Sequence, residues 1–380
     1  MKINQSTFTI VANGFADGPA QALRDYLIKH DAKRVITIAH PLVPEGDNSH
    51  IKTVYSGGRT STQTIRMPHK PPYTYLFDPF IPARLPKSTA WFGFNNLACL
   101  RGLAQRKVGR TEKVFYWAVD FVVDRFGEES PSTKAYNKVD RLVAKKADGR
   151  VELSSVGVKG RNKYLGIADQ KHAPTHVVPM GAWLDRTPKV GSKAWSKHKI
   201  VYLGHLVERQ GVAMLIDAAK ELARQDVKFS IEIIGSGPLE KQLRKKAKDL
   251  GLAKQIKFHG FVKSHKEVEK ILASATIAAA PYVKDDVNFV QFTDAGKLKA
   301  YLGAYLPIVL TDVPNNTKEL RDAGAALIAR DNPKDFATQL QKWLTNEAQW
   351  KSAHQAAKKK AQEFDWNNLL KKALGEMGFE

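Results

Sequence analysis

The chain alternates twice between short runs of β-branched and aromatic residues and longer runs with apolar residues at helical spacing, and this rhythm limits the possible folds more than any other feature. In the first series, strand-like runs fall at residues 7–12, 34–39, 90–93, 114–119, 151–154 and 175–178. Helical runs fall at 18–30, 97–107 and 134–147. Residues 43–87, rich in Pro, Gly, Ser and Thr, are expected to form short strands and long loops. Residues 185–198 are polar and turn-rich and read as a linker between domains. The second series has strands at 200–203, 229–234, 256–258, 276–280, 308–310 and 325–329, again separated by helical runs. Such alternation predicts an α/β class: two doubly wound, Rossmann-like parallel-sheet domains. Ligands of such sheets bind beyond the carboxyl ends of the strands, and a cleft between two such domains is the expected active site.

One stretch of the second series has the character of an anion site. Thr293-Asp294-Ala295-Gly296-Lys297 is a polar turn whose glycine allows close backbone approach. Leu298, Tyr301, Leu302 and Tyr305 follow at helical spacing until Pro307 ends the run. A turn entering a helix N-terminus presents unpaired N–H groups and the positive end of a dipole. Lys297 adds a full charge there. An ordinary loop–helix–strand connection explains the same residues if the stretch is taken alone. Other strand ends of this series carry small or polar residues as well: Gly204-His205 with Arg209-Gln210, Gly235-Ser236-Gly237, and His259-Gly260-Phe261. Each singly is ordinary turn chemistry. Their repetition at successive strand ends is more specific.

The 380 residues exceed one typical core, so two domains are expected. The single cysteine, Cys99, excludes an intramolecular disulfide and a cysteine-based metal site. The eleven histidines show no metal-ligand spacing. No secretory signal and no run approaching ~20 apolar residues is found, so a cytoplasmic protein is expected. The formal charge of +22 fits three kinds of anionic partner, a membrane leaflet, a nucleic acid or a small substrate, with simple solubility as a further explanation. No specific nucleic-acid signature stands out. Arg101, Arg106, Lys107, Arg110 and Lys113, on or after the 97–107 helix, are compatible with docking on anionic lipid at the inner face of the plasma membrane. A solvated helix face is the plain alternative.

The order of motifs resembles a known family. YLGHLVERQGVAMLIDAA, IEIIGSGPLEKQL, IKFHGFVKSHKEV and the 293–314 segment look like the donor-binding half of retaining glycosyltransferases with the GT-B fold, in particular family 4 (glycosyl transferases group 1). DGPAQALRDYL, the 135–155 run and VVPMGA resemble its acceptor-side half. The resemblance implies an acceptor-side domain over 1–186, a nucleotide-sugar-binding domain over 187–363, and a C-terminal helix from about 364 to 380 crossing back to the first. It also implies transfer of a hexosyl unit from a nucleotide diphosphate-sugar to a glycan or lipid-linked acceptor, with retention and without an obligatory metal or other cofactor. The implied donor residues are Gly204, His205, Arg209, Gln210, Gly235, Gly237, His259, Gly260, Phe261, Asp294, Gly296, Lys297 and Leu298. Base recognition in that family is largely by backbone near residues 259–262.

The sequence departs from the family in its final segment. The family places Glu, seven residues, then Glu, the second holding the donor ribose; here those positions are Phe292 and Ala300. His205 and Gln210 stand where the family often has Arg and Lys on the diphosphate, with Arg209 adjacent. Three readings remain: Asp294 and Lys297 take over the contacts, the donor ribose is handled differently, or the chain is a non-catalytic GT-B-like subunit. Asp120, closing the 114–119 strand, is the expected catalytic carboxylate, orienting an acceptor hydroxyl or the sugar. A helix cap or a pair with Arg125 is the alternative for it. Relatives often carry His-Asp here, and this chain has Val119-Asp120. On the acceptor side, Gly18 before Pro19, and Asn95 and Asn96 after a strand, are the expected contacts.

Overall fold

The structure, a computed structural model, describes residues 1–14, 17–41, 49–66, 85–122, 125–127, 130–167, 172–284 and 294–380. The chain divides into two units, Met1–Pro179 with Asn367–Glu380, and Met180–Trp366.

The first unit holds an eight-stranded sheet of β1 (Thr7–Asn13), β2 (Arg34–His40), β3 (Ser49–Ser56), β4 (Arg59–Arg66), β5 (Ser88–Gly93), β6 (Thr111–Ala118), β7 (Gly149–Glu152) and β8 (Thr175–Val177). Its order is β4-β3-β2-β1-β5-β6-β7-β8. From β2 to β8 every pairing is parallel. β3 and β4 instead form an antiparallel hairpin on the β2 edge. Part of the stretch expected to hold short strands and long loops is therefore a regular hairpin of eight-residue strands. Gly57 and Gly58, both at positive φ, form its two-residue turn, a signal that the Thr- and Ser-rich composition masked.

The helices of this unit are α1 (Pro19–Lys29), α2 (Asn96–Lys107), α3 (Pro131–Lys146) and α4 (Ser155–Leu165). Asn95, Ser130 and Ser154 cap three of them by accepting N–H bonds two or three residues on, and prolines open α1 and α3. The end of the chain packs into the same core: Phe379 lies edge-on to Phe8 at 5.3 Å, and Glu380 exchanges backbone hydrogen bonds with Ile3 and Met1.

The second unit holds six parallel strands: β9 (Lys199–Leu203), β10 (Ser230–Ile234), β11 (Ile256–Gly260), β12 (Ile277–Ala280), β13 (Ile308–Thr311) and β14 (Ala326–Ala329), in the order β11-β10-β9-β12-β13-β14. Around them lie α5 (Val212–Arg224), α6 (Glu240–Asp249), α7 (His265–Ala273), α8 (Gly296–Gly303), α9 (Thr317–Asp322), α10 (Pro333–Thr345) and α11 (Glu347–Ala361), before α12 (Trp366–Glu376). The strands are nearly continuous apolar runs because helices cover both faces, and Ile200, Val201, Ile233, Ala279 and Val309 are all buried. The strand order reverses between β9 and β12. That reversal is the topological switch point where such sheets bind ligands.

The division between units falls after Pro179 and after Trp366, whereas the sequence suggested 186 and 363. Residues 185–198 are not a free linker but part of the second unit. Lys189 donates to the Gly303 carbonyl at 2.8 Å, the Trp195 indole donates to the Trp343 carbonyl at 2.9 Å, and Ala194 is buried. Polar composition made these residues look detached, but their backbone and indole groups find partners inside the fold.

Candidate functional site

The switch point gathers three glycine-bearing strand ends of the second unit. Gly204 donates its N–H to the Ile234 carbonyl at 2.9 Å, and Gly235 donates to the Gly260 carbonyl at 2.9 Å. Leu206 donates to the Ser236 carbonyl at 3.0 Å. The loops after β9, β10 and β11 thus continue the sheet as a layer of bare backbone. Gly235 sits at φ +131° with its α-carbon against the Gly204 carbonyl, so any side chain there collides with backbone. A β-carbon on Gly204 would come within 2.8 Å of the Lys297 Nζ. The glycines make room for one another and for that ammonium.

Lys297 occupies the first turn of α8 and reaches to the end of β9. Its Nζ donates to the Gln210 Oε1 at 2.5 Å and to the Tyr202 hydroxyl at 3.3 Å. It stands 4.3 Å from the centroid of the Tyr202 ring and 4.7 Å from that of Tyr282. Among the described residues no carboxylate pairs with it. Burial pushes the ammonium down to a pKa of about 7. No side chain caps the N-terminus of α8, and its first turn carries no acid. Tyr301 fixes this helix in place: its buried hydroxyl accepts the Leu203 N–H at 2.8 Å and donates to the Ala279 carbonyl at 3.1 Å, tying α8 to β9 and β12. A half-buried cation flanked by aromatic faces, beside an uncapped helix start, is the electrostatic complement of an anion.

The other expected donor residues divide. His205 and Arg209 are exposed on the loop after β9, and Gln210 is half-buried beside Lys297. Gly237 lies against Leu206, and Gly296 begins α8. Leu298 is core. The His259 ring is 3.2 Å from Glu232, which also pairs with Lys199 at 2.8 Å; its side chain is engaged in the sheet. Phe261, just past Gly260, is 72 % exposed, an unusual position for so large an apolar ring. Asp294 is buried and used internally. One oxygen accepts the Met180 N–H at 2.8 Å, and the other pairs with the buried Lys299 and takes a bond from Asn316 at 3.4 Å. The expectation that Asp294 takes over a ribose or phosphate contact gives way to this anchoring, because both its oxygens are engaged inside the fold and it is buried. Ala300 lies half-buried on α8, and Phe292 and Thr293 fall outside the described residues.

In the first unit Asp120 follows β6 and is half-exposed, paired with Arg125 at 2.5 Å. Its carbonyl accepts a bond from the buried Arg161 at 2.7 Å. Asn95 and Asn96 are not presented to a ligand. The Asn95 carboxamide caps α2 through the Ala98 N–H at 2.7 Å and also bonds Asn13, while Asn96 is buried and donates to the Tyr136 carbonyl. Gly18 is the N-cap of α1 in extended backbone, with Pro19 at the first helical position. Beside it is a cavity of about 170 Å³ lined by Asp17, Gln21, Arg24, Thr37, Thr53 and Tyr55. Pattern reading missed these residues because their side chains come from α1, β2, β3 and the loop before α1; Tyr202 and Tyr282 were missed because nothing local marks a tyrosine at a strand end as a ligand residue.

The basic strip expected along α2 is dispersed. Arg101 is buried over the Trp91 ring, Arg106 pairs with Asp148, and Arg110 donates to the Leu85 carbonyl. Lys113 lies over Phe379, while Lys107 and Arg110 are exposed at and just after the helix end. Among the described residues no group of three or more His, Cys, Asp or Glu is placed to hold a metal ion. No helix among them is long and apolar enough to cross a membrane.

Residues 197–346, the greater part of the second unit, match the family model "Glycosyl transferases group 1". Among curated proteins, the chain is 27 % identical over 184 residues to the putative colanic acid biosynthesis glycosyltransferase WcaL of Salmonella typhimurium, covering 48 % of this chain and 44 % of that protein. It is 30 % identical over 153 residues to the protein of the same name from Escherichia coli K12, covering 40 % and 36 %. The chain thus matches less than half the length of either relative. Among solved structures, sucrose-phosphate synthase from Thermosynechococcus elongatus has a TM-score of 0.71 at 12 % identity over 98 % of both chains. WaaG, a glycosyltransferase involved in lipopolysaccharide biosynthesis, has 0.65 at 15 %, covering 98 % and 99 %. HepE from Anabaena, in complex with UDP, has 0.61 at 14 %, covering 99 % and 100 %. At these identities the likeness is one of fold, and the fold is GT-B.

Proposed function

We propose that this chain, which carries a glycosyl transferases group 1 domain on a GT-B framework, transfers a hexosyl unit from a nucleotide diphosphate-sugar to a glycan or lipid-linked acceptor, with retention. The observation that carries this reading is Lys297: a half-buried ammonium with aromatic and amide neighbours, at the switch point, beside the uncapped start of α8. The diphosphate would lie on the bare backbone of Gly204 and Gly235, with Lys297, the α8 N–H groups and the exposed Arg209 meeting its charge. Such groups stabilise a leaving diphosphate as negative charge develops on it, and this electrostatic contribution needs no resident metal. Phe261 offers an exposed face on which a base can stack. The acceptor side is assigned to the cavity near Gly18, whose mixed lining includes a carboxylate, a guanidinium, an amide and hydroxyls that suit a polyhydroxylated ligand. Asp120, held by Arg125 and through its carbonyl by Arg161, is the carboxylate assigned to orienting the incoming hydroxyl.

Retention follows from the family resemblance rather than from a named nucleophile. The second reading, a non-catalytic subunit, is favoured by Ala300, which offers no hydrogen bond where the resemblance expects the ribose-binding glutamate. A thermal-shift panel of UDP, GDP, ADP, dTDP and CMP separates the two, with UDP first because the neighbour HepE was solved with it. A nucleotide at 100-fold its dissociation constant adds about 2.7 kcal/mol of stability. A shift with one nucleotide that is weakened in Lys297→Ala, together with sugar transfer that persists in EDTA, is the expected result. No shift with any nucleotide would favour the subunit.

A further inference from the structure

Charge in residues 131–167 is sorted between interior and surface in an uneven way. Its acids are Asp140, Asp148 and Glu152. Asp140 and Glu152 are buried and both pair with Arg161, while Arg150, also buried, lies 3.4 Å from Glu152. Asp148 pairs with Arg106. Every described acid of the segment is therefore engaged by an arginine. The lysines and the one remaining arginine lie outside: Lys138, Arg141, Lys145 and Lys146 are exposed on α3, and Lys159 and Lys163 on α4.

Spacing gathers these cations on one surface. Positions 138, 141, 145 and 146 share one face of α3, and 159 and 163 share one face of α4. Arg161 of α4 bonds both Asp140 of α3 and Glu152 of β7, so both helices cover the same face of the sheet. Arg141 also donates to the Leu165 carbonyl at the end of α4. Apolar side chains are interleaved with the cations instead of being buried: Leu142 is 43 % exposed, Tyr164 47 % and Val156 38 %. Lys145 and Lys146 complement the helix dipole of α3, but the dipole acts only within the last turn and does not account for Lys138 or the α4 lysines.

We propose that the outer face of the α3–α4 pair docks on an anionic lipid leaflet, its cations at the headgroups and Leu142, Val156 and Tyr164 entering the interface. Charge complementarity selects an anionic partner, and the interleaved apolar side chains favour a lipid surface over a nucleic acid, whose phosphate track would be met by charge and stacking rings. This surface is separate from the α2 strip that the sequence suggested, and it does not depend on the donor-site reading.

The test is co-sedimentation of the full chain with phosphatidylglycerol–phosphatidylcholine vesicles against phosphatidylcholine alone. Binding to the anionic vesicles only, weakening with salt, is expected. Lys138→Gln with Lys145→Gln and Lys159→Gln should weaken it by about a hundredfold, since each cation near such a surface contributes about 1 kcal/mol. The same loss of charge in the second unit, at Lys241, Lys248 and Lys254, should leave it nearly unchanged. Leu142→Gln with Val156→Gln should weaken binding and leave the residue more salt-sensitive. The proposal is overturned if wild type ignores anionic vesicles or if both lysine triples behave alike. Circular dichroism of each variant guards against loss of the fold.

Discussion

Lys297 is where a single residue carries the most information. A lysine in the first turn of a helix is unremarkable in a sequence; burial, among neighbours that come from elsewhere in the chain, lowers its pKa to about 7 and leaves it half-charged near neutrality. If the diphosphate binds the ammonium form, then above pH 7 binding must take up a proton. Affinity for the preferred nucleotide should therefore fall by up to about tenfold per pH unit above 7, measured by calorimetry between pH 6.5 and 9, and the slope should vanish in Lys297→Met. The same variant should raise the melting temperature of the unliganded protein, by an amount equivalent to roughly 1 kcal/mol, because an unpaired ammonium in a desolvated site is a liability until an anion arrives. A variant that lost both stability and binding would mark Lys297 as a structural residue.

Among the elements, α8 and the turn before it show how one motif serves two purposes. Lys297 points to the switch point, while two residues on Lys299 turns inward to Asp294, with the Phe364 ring 4.5 Å away. Lys297 and Asp294 were legible as residues suited to a polar turn and helix start, and Lys299 was not singled out. Which of the two lysine charges was free was not legible, since helical position alone does not say what lies opposite. Asp294→Ala leaves Lys299 buried without its counter-charge and should cost about 3–5 kcal/mol in urea unfolding, whereas Asp294→Leu with Lys299→Met should recover most of that loss. Recovery of stability without loss of nucleotide binding would separate the anchor from the ligand site. Similarly, Asn95 was correctly placed at the end of a strand, but its carboxamide completes a helix cap, a role that residue type favours as strongly as sugar binding.

In the molecule as a whole, the first unit should respond to acid through His40 and His50. Their Nδ1 atoms face each other at 2.7 Å in the core, and burial and the neighbouring histidine hold His40 down at about 3, with His50 also lowered. Below pH 6.5 the unfolded chain takes up protons that the folded unit refuses, so the stabilisation is intact above that pH and is lost as the pH falls. Between pH 7 and 5.5 the loss should be about 1 kcal/mol for His40, read from urea melts of the wild type against His40→Gln, in which the dependence flattens.

The parallel strands of both series, most of their helices, the two-series architecture and the glycine-bearing strand ends were readable in advance, because hydrophobic period and turn chemistry are local properties of the chain; the helix Ser155–Leu165 was not. The Gly57-Gly58 hairpin was equally local and was obscured only by polar composition. Tertiary structure alone decided which groups are free and which are satisfied. It withdrew Asp294, Asn95 and Asn96 into the fold, scattered the α2 cations, gathered a basic face from α3 and α4, and placed two tyrosines around Lys297. The physical reason is that whether a charge is neutralised, hydrated or left waiting for a ligand depends on what stands within a few ångströms of it, and those neighbours come from distant parts of the chain.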